Sequence, residues 1–311
     1  IAHRGASGYL PEHTLAAKAL AHGMGADFIE QDVVLTSDGI PIVLHDITLE
    51  HTTDVAARFG ERAREDGHYY ALDVSLEEIR SLRVHERRLR IDGPAAYPNR
   101  FPVDTDIFRV PTLAEEIDLI AGLDYSRGRS TGLYVELKSP RRHHAAGLDL
   151  AGAVLGVIEE KGYGDRPEQV YLQCFDDATL RDLHEQQRTA LPLIQLLADN
   201  SWGEDSAVDY DFLRTEVGLE EVARYADGIG PWLSHIYLGP DAQGEPRLDP
   251  LVERARRHGL LVHPYTFRRD DLPAGIASFE QLLELFITRI EVDGLFTDFP
   301  DLALRYIEGH R

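Results

Sequence analysis

Cysteine is nearly absent from this chain: Cys174 is the one thiol among 311 residues. A lone cysteine excludes an internal disulfide and any zinc site built from thiolates. Cys174 stands in the apolar run 169–175, where a small, soft side chain reads as buried packing. Positive charge is also in short supply. Lysine and arginine total 32 against 54 aspartates and glutamates, for a formal charge of −22. Such a chain repels phosphate backbones and anionic bilayers, which argues against nucleic acid and anionic membranes as partners. A small anion is still admissible where its site is locally basic. Long apolar runs are missing as well. The stretch Leu191-Pro-Leu-Ile-Gln-Leu-Leu-Ala198 is short and interrupted by Gln195, so nothing reads as membrane insertion.

What is present is enough for a sizeable core. Hydrophobic residues make up 43% of the chain, which fits one large α/β domain with insertions or two smaller ones. Strand-like runs lie at 132–138, 169–175, 193–197, 260–266 and 294–298, with helical patterns between them. Ser75-Leu-Glu-Glu78 and Thr112-Leu-Ala-Glu115 are capping boxes that open two of those helices. Repeated strand–helix units imply parallel strands joined by right-handed crossovers. Counting from Ile1 gives about eight strands, and polar residues gather at their ends. Both features favour a closed (β/α)8 TIM barrel over residues 1–311 rather than an open sheet. Residues 47–111 break the pattern with a charged run and an irregular proline-bearing tract. They read as a small insertion after the second strand region, standing over one rim.

Residues 28–46 organise the rest. Glu30 and Asp32 are two apart on a strand, so they project from one face, roughly 7 Å apart at the backbone. Two like charges on an apolar strand resist burial unless a cation or donor lies between them. A turn at Ser37-Asp38-Gly39 and a second apolar run then deliver His45-Asp46. The other polar candidates at strand ends are His3 and Arg4, Glu136 and Lys138, Gln173, and Tyr265. Three carboxylates without thiolates suit a hard divalent cation such as calcium or magnesium. Arg4 and Lys138 beside it would clamp a tetrahedral anion. Two imidazoles can serve as acid and base near neutral pH. Together these groups describe phosphodiester cleavage. Trp232, after a Gly-Ile-Gly-Pro run, suits either a lid over a small polyol or plain packing. His143-His144 has no third ligand nearby and reads as surface.

The motifs His-Arg-Gly-Ala-Ser-Gly at 3–8, Pro-Glu-His-Thr at 11–14, Glu-Gln-Asp at 30–32 and Leu-His-Asp at 44–46 are specific in combination. So are Glu-Leu-Lys at 136–138, Leu-Gln-Cys-Phe at 172–175, His-Pro-Tyr-Thr at 263–266 and Asp-Gly-Leu-Phe-Thr-Asp-Phe-Pro-Asp at 293–301. With them the chain resembles the glycerophosphodiester phosphodiesterase family, most closely its bacterial periplasmic branch, along nearly its whole length. The resemblance implies His3 and His45 as the acid–base pair and Glu30, Asp32 and Glu136 as metal ligands. It implies Arg4 and Lys138 as phosphate contacts, with Gln173, Trp232 and Tyr265 lining the pocket and Glu12 orienting Arg4. The implied metal is divalent, calcium before magnesium. The implied reaction is hydrolysis of small soluble glycerophosphodiesters to glycerol 3-phosphate and an alcohol, in the periplasm. Ile1-Ala-His3 looks like a strand whose beginning was trimmed, so the lack of a signal peptide says little. The oligomeric state is open, a homodimer being one option. The charged insertion is expected to cap the mouth and leave the leaving-group end open, so head groups should turn over at comparable rates. Two other functions fit the same barrel: a phospholipase D-like enzyme on lysolipids, and a catalytically silent binding barrel. The charged insertion disfavours the first, and the unbroken carboxylates and histidine pair disfavour the second.

Overall fold

The computed structural model describes residues 1–310. The apolar runs become strands β1 (Phe28–Leu35), β2 (Pro41–Val43), β3 (Gly132–Leu137), β4 (Val170–Cys174), β5 (Leu193–Leu197) and β6 (Gly228–Pro231). A separate hairpin follows, β7 (Tyr237–Pro240) with β8 (Pro246–Leu248), and then β9 (Leu261–Val262). The main sheet runs β2-β1-β3-β4-β5-β6-β9. All its pairings are parallel except that of β2, which returns antiparallel along β1. Ala2 bridges in parallel to both Ile29 and Thr297, and Phe267 bridges to Thr297. The segments at Ala2 and Thr297 therefore close the sheet into the eight-staved barrel expected of the alternating pattern. The expected strand over 260–266 pairs regularly only at Leu261–Val262, because Pro264 has no amide hydrogen to give a ladder.

Side chains alternate in and out along each stave. Tyr134, Ile194 and Phe296 meet inside the barrel, with Phe28 and Tyr171 against them, and form an apolar floor. The outward faces pack on the helices in one continuous core. Gly228 is required by close approach, since a Cβ there would lie 2.7 Å from the Leu261 carbonyl oxygen on the neighbouring strand. Within that core Phe286 is fully buried, edge-on to Phe267 with centroids 4.9 Å apart. Phe286→Ala should cost about 3–5 kcal/mol, read as a lower denaturation midpoint at unchanged slope.

The insertion carries a second, smaller core. Leu49, Val55, Ile79, Leu82 and Val84 pack on Val34, Ile42 and Leu44, covering the face of the β1–β2 hairpin that continues from Glu30 and Asp32. Both capping boxes form. Cys174 is buried, its thiol donating to the Leu137 carbonyl at 3.3 Å. The pattern reading misses the β7–β8 hairpin and a helix over Pro140–Ala145. That helix corrects the reading of His143 as surface. His143 is buried; its Nε2 accepts from the Leu35 amide at 2.9 Å and its Nδ1–H donates to the Ser139 carbonyl at 2.8 Å. It is a structural tie between β1 and that helix, while His144 stays exposed.

Candidate active site

A cavity of about 370 Å³ opens at the carboxyl ends of the barrel strands. His3, Arg4, Glu30, His45, Glu136, Lys138 and Gln173, with Glu204, Thr266 and Arg268, form its polar side, and Phe175, Trp202, Trp232, Tyr265 and Phe296 its aromatic side. Every site residue named from the sequence lines it except Glu12 and Asp32, the latter buried beside Glu30 and Glu136. Gln173 is turned to Glu30, donating to its Oε1 at 3.0 Å. Tyr265 donates to the Leu197 carbonyl at 2.8 Å, and Trp232 packs edge-on to Trp202 at 5.1 Å.

The acidic floor follows from register. Asp32 on β1 lies opposite Glu136 on β3, which lies opposite Gln173 on β4. Carboxylate oxygens of Glu30, Asp32 and Glu136 all lie within 4.8 Å of one another. Each acid is also tethered. Arg4 adopts a left-handed φ of 56°, a conformation costing of order 1–3 kcal/mol, and its amide donates to Glu30 Oε2 at 2.8 Å. His13 Nε2 donates to Asp32 Oδ2 at 2.8 Å, while buried Lys18, paired with Glu116 at 3.2 Å, donates to His13 Nδ1 at 3.0 Å. Lys138 donates to Glu136 Oε1 at 2.7 Å. Even so, Asp32 Oδ1 is buried without a partner. Burial, then repulsion from Asp32 and Glu136, holds the Glu30 carboxyl well above its usual range. Burial pushes Glu136 up to about 8, with Lys138 opposing and Asp32 adding to the rise. An oxygen-only set of three acids, one atom orphaned and two reluctant to ionise, fits a divalent cation. Among the described residues this is the one such cluster.

Both histidines are held by aspartates. His3 Nδ1–H donates to Asp298 Oδ1 at 2.5 Å, and Asp298 Oδ2 accepts from Arg100 at 2.7 Å and Arg268 at 2.8 Å. His45 Nδ1–H donates to Asp46 Oδ1 at 2.6 Å, and Asp46 Oδ2 accepts from Arg87 at 2.7 Å. Arg87 in turn grips Glu12 through two bonds of 2.9 and 2.7 Å, and Glu12 accepts from Arg4 at 3.1 and 3.0 Å. Glu12 thus orients Arg4 as expected, but as one link in a chain that runs on to His45. A carboxylate can only accept, so each Nδ1 carries its proton and each Nε2 is left for other work. Burial pushes both imidazoles down to about 4, reinforced at His45 by Arg4 and Lys138 and opposed at His3 by Asp298. Burial alone would raise Asp298 and Asp46. Arg268, His3 and Arg100 hold the first well below the usual carboxylate range, and Arg87 and His45 do the same for the second.

Asp46, Asp298, Arg87 and Arg100 had no assigned role in the sequence. Asp46 could have been suspected from its place next to His45. The arginines could not: both come from the insertion, and Arg100 reaches a residue 198 positions away.

A model of the "Glycerophosphoryl diester phosphodiesterase family" matches residues 3–302. A glycerophosphodiester phosphodiesterase of Haemophilus influenzae is 40% identical over 325 residues, covering 99% of this chain and 89% of the relative. One from Treponema pallidum is 35% identical, covering 99% and 91% respectively. In fold, the chain is similar to an Oleispira antarctica phosphodiesterase solved in complex with the product sn-glycerol-3-phosphate. That match has a TM-score of 0.67 at 21% identity, covering 99% of this chain and 95% of the other.

Proposed function

The chain belongs to the glycerophosphoryl diester phosphodiesterase family and is an enzyme of that class, and from that premise we propose that it hydrolyses glycerophosphodiesters to glycerol 3-phosphate and an alcohol, using a bound divalent cation and the pair His3 and His45. The observation that carries this is a convergence on one cavity. Two aspartate-held imidazoles, Arg4 and Lys138 meet there above three clustered carboxylates. The Oleispira antarctica phosphodiesterase, which holds sn-glycerol-3-phosphate on this fold, supports the same product.

Glu30, Asp32 and Glu136 would hold the cation, calcium in preference to magnesium because its longer, looser geometry tolerates mixed oxygen donors, and when bound it would neutralise phosphoryl charge and acidify a hydroxyl. The chain's own groups divide the proton work. His45 Nε2 accepts from Lys138 at 3.4 Å, and Lys138 and Arg4 disfavour its protonation, so it is the base. His3 donates through Nδ1 to Asp298 at 2.5 Å, and that carboxylate opposes the burial that pushes its imidazole down, so it is the acid. His45 takes the proton of the glycerol 2-hydroxyl as that oxygen attacks phosphorus. The bond to the leaving alcohol breaks and His3 protonates the departing oxygen. Water then opens the cyclic phosphate with the two roles exchanged. Internal attack has the advantage of proximity, of the order of several kcal/mol. A 2-deoxy substrate should resist cleavage; if it reacts as fast as its parent, water is the nucleophile.

Incubation with soluble glycerophosphodiesters beside micellar lysolipid tests the function. Soluble diesters should be cleaved and micelles spared. Preference for micelles would favour a phospholipase D-like enzyme, and turnover of neither a silent barrel. We extend the proposal to the periplasm on the resemblance to that branch, which fractionation of source cells would check.

The insertion enters the chemistry through Arg87, which bonds both Asp46 and Glu12. Arg87→Gln should lower kcat by roughly 10- to 100-fold, the scale of a lost outer-shell support. The fold, read by circular dichroism, should be unchanged.

A further inference from the structure

A second cavity, about 170 Å³, opens on the insertion side of the catalytic groups. It shares His3, Arg4, His45 and Arg268 with the main cavity, but neither Glu30 nor Glu136 faces it. A diester held at the shared residues would leave one ester arm in each space. The arm whose hydroxyls suit a cation belongs over the carboxylates, and the leaving alcohol falls into the side cavity.

The lining of that cavity has a definite chemistry. Four guanidinium groups face it, those of Arg4, Arg87, Arg100 and Arg268, against the carboxylates of Glu12 and Asp298. Both carboxylates are already engaged, Glu12 by Arg4 and Arg87, Asp298 by His3, Arg100 and Arg268. Tyr97 is the aromatic ring there, and the Arg100 guanidinium carbon already sits 3.7 Å from its centroid. A trimethylammonium group binds through an open aromatic face or an unpaired carboxylate, and neither is on offer. Donors are on offer instead. Arg268 spends only its Nε on Asp298, at 2.8 Å. Among the described residues its terminal nitrogens have no hydrogen-bond partner, and the side chain borders both cavities.

We propose that this side cavity is a head-group subsite that selects alcohols bearing hydroxyl or carboxylate acceptors over quaternary ammonium alcohols, with Arg268 as the selecting donor. This rests on the phosphodiesterase reading above and departs from the expectation of an open leaving-group end. The test is kcat/KM for glycerophosphoglycerol and glycerophosphocholine, measured on the full chain with calcium. The unaltered enzyme should favour glycerophosphoglycerol by roughly tenfold or more, the order that one charge-assisted hydrogen bond supports. Arg268→Gln should narrow the ratio to about threefold or less, and Arg268→Lys should restore part of it. Comparable rates in the unaltered enzyme would overturn the subsite whether or not the variants fold. A ratio unchanged by Arg268→Gln, both substrates falling together, would assign Arg268 to the phosphate and overturn its selecting role. Failure of the unaltered enzyme to cleave either diester is a separate result, overturning the phosphodiesterase reading itself.

Discussion

His3→Ala and His45→Ala should each lower kcat by roughly a hundredfold to ten-thousandfold, the scale of a lost general acid or base. Each imidazole is fixed through Nδ1 by an aspartate, so its Nε2 is presented without a search among orientations. Removing either ring therefore takes away a group already placed for proton transfer and leaves Arg4 and Lys138 to bind the anion unaided. The losses should fall on kcat more than on KM, since neither ring is needed to neutralise the phosphate. Affinity for the cation should hardly change, because the cluster of Glu30, Asp32 and Glu136 contains neither histidine. Stopped assays with calorimetric titration of calcium separate the two quantities. A variant with near-native kcat would remove that histidine from the chemistry.

Exhaustive chelation should bring activity to the level of the histidine variants, and calcium or magnesium should restore it. The three acids crowd within 4.8 Å while burial and repulsion hold Glu30 and Glu136 above their ordinary values. A divalent cation reverses that balance, and binding must displace whatever proton the acids keep. With Glu136 raised to about 8, protons compete with the cation below that pH, so calcium affinity should weaken as pH falls from 8 to 6. Glu136→Gln removes one charged ligand, and calcium Kd should rise by about a hundredfold or more, beyond the usual cost of losing an outer-shell partner. Full activity after chelation would refute the role of the cluster.

The parts of this site legible in the sequence are those that strand geometry places. Glu30 and Asp32 share a face because strand side chains alternate, and Glu136 joins them because β3 pairs with β1 in parallel register. His45 was legible for a related reason: the turn at 37–39 returns the chain along β1, and the Leu44 amide bonds the Asp32 carbonyl at 2.8 Å. What was not legible depends on tertiary approach. Asp298 reaches His3 from the far end of the chain, and Arg87 and Arg100 descend from an insertion read only as a cap over the mouth. His143 misled for the opposite reason. A histidine in a polar run is ordinarily exposed, but the helix starting at Pro140 turns this one under β1, where the Leu35 amide needs an acceptor. The closed barrel was legible in the count of strand–helix units, and the structure completes it with single bridges at Ala2 and Thr297; the aromatic floor was not, because it depends on which side chains meet across the barrel.

Which ester bond breaks tests the account most directly. Phosphorus NMR of glycerophosphocholine incubated with the enzyme and calcium should show the diester replaced by glycerol 3-phosphate, and with His3→Ala the same product should form more slowly by the factor expected for its kcat; phosphocholine as the product, or an intact diester after prolonged incubation with the unaltered enzyme, would contradict it.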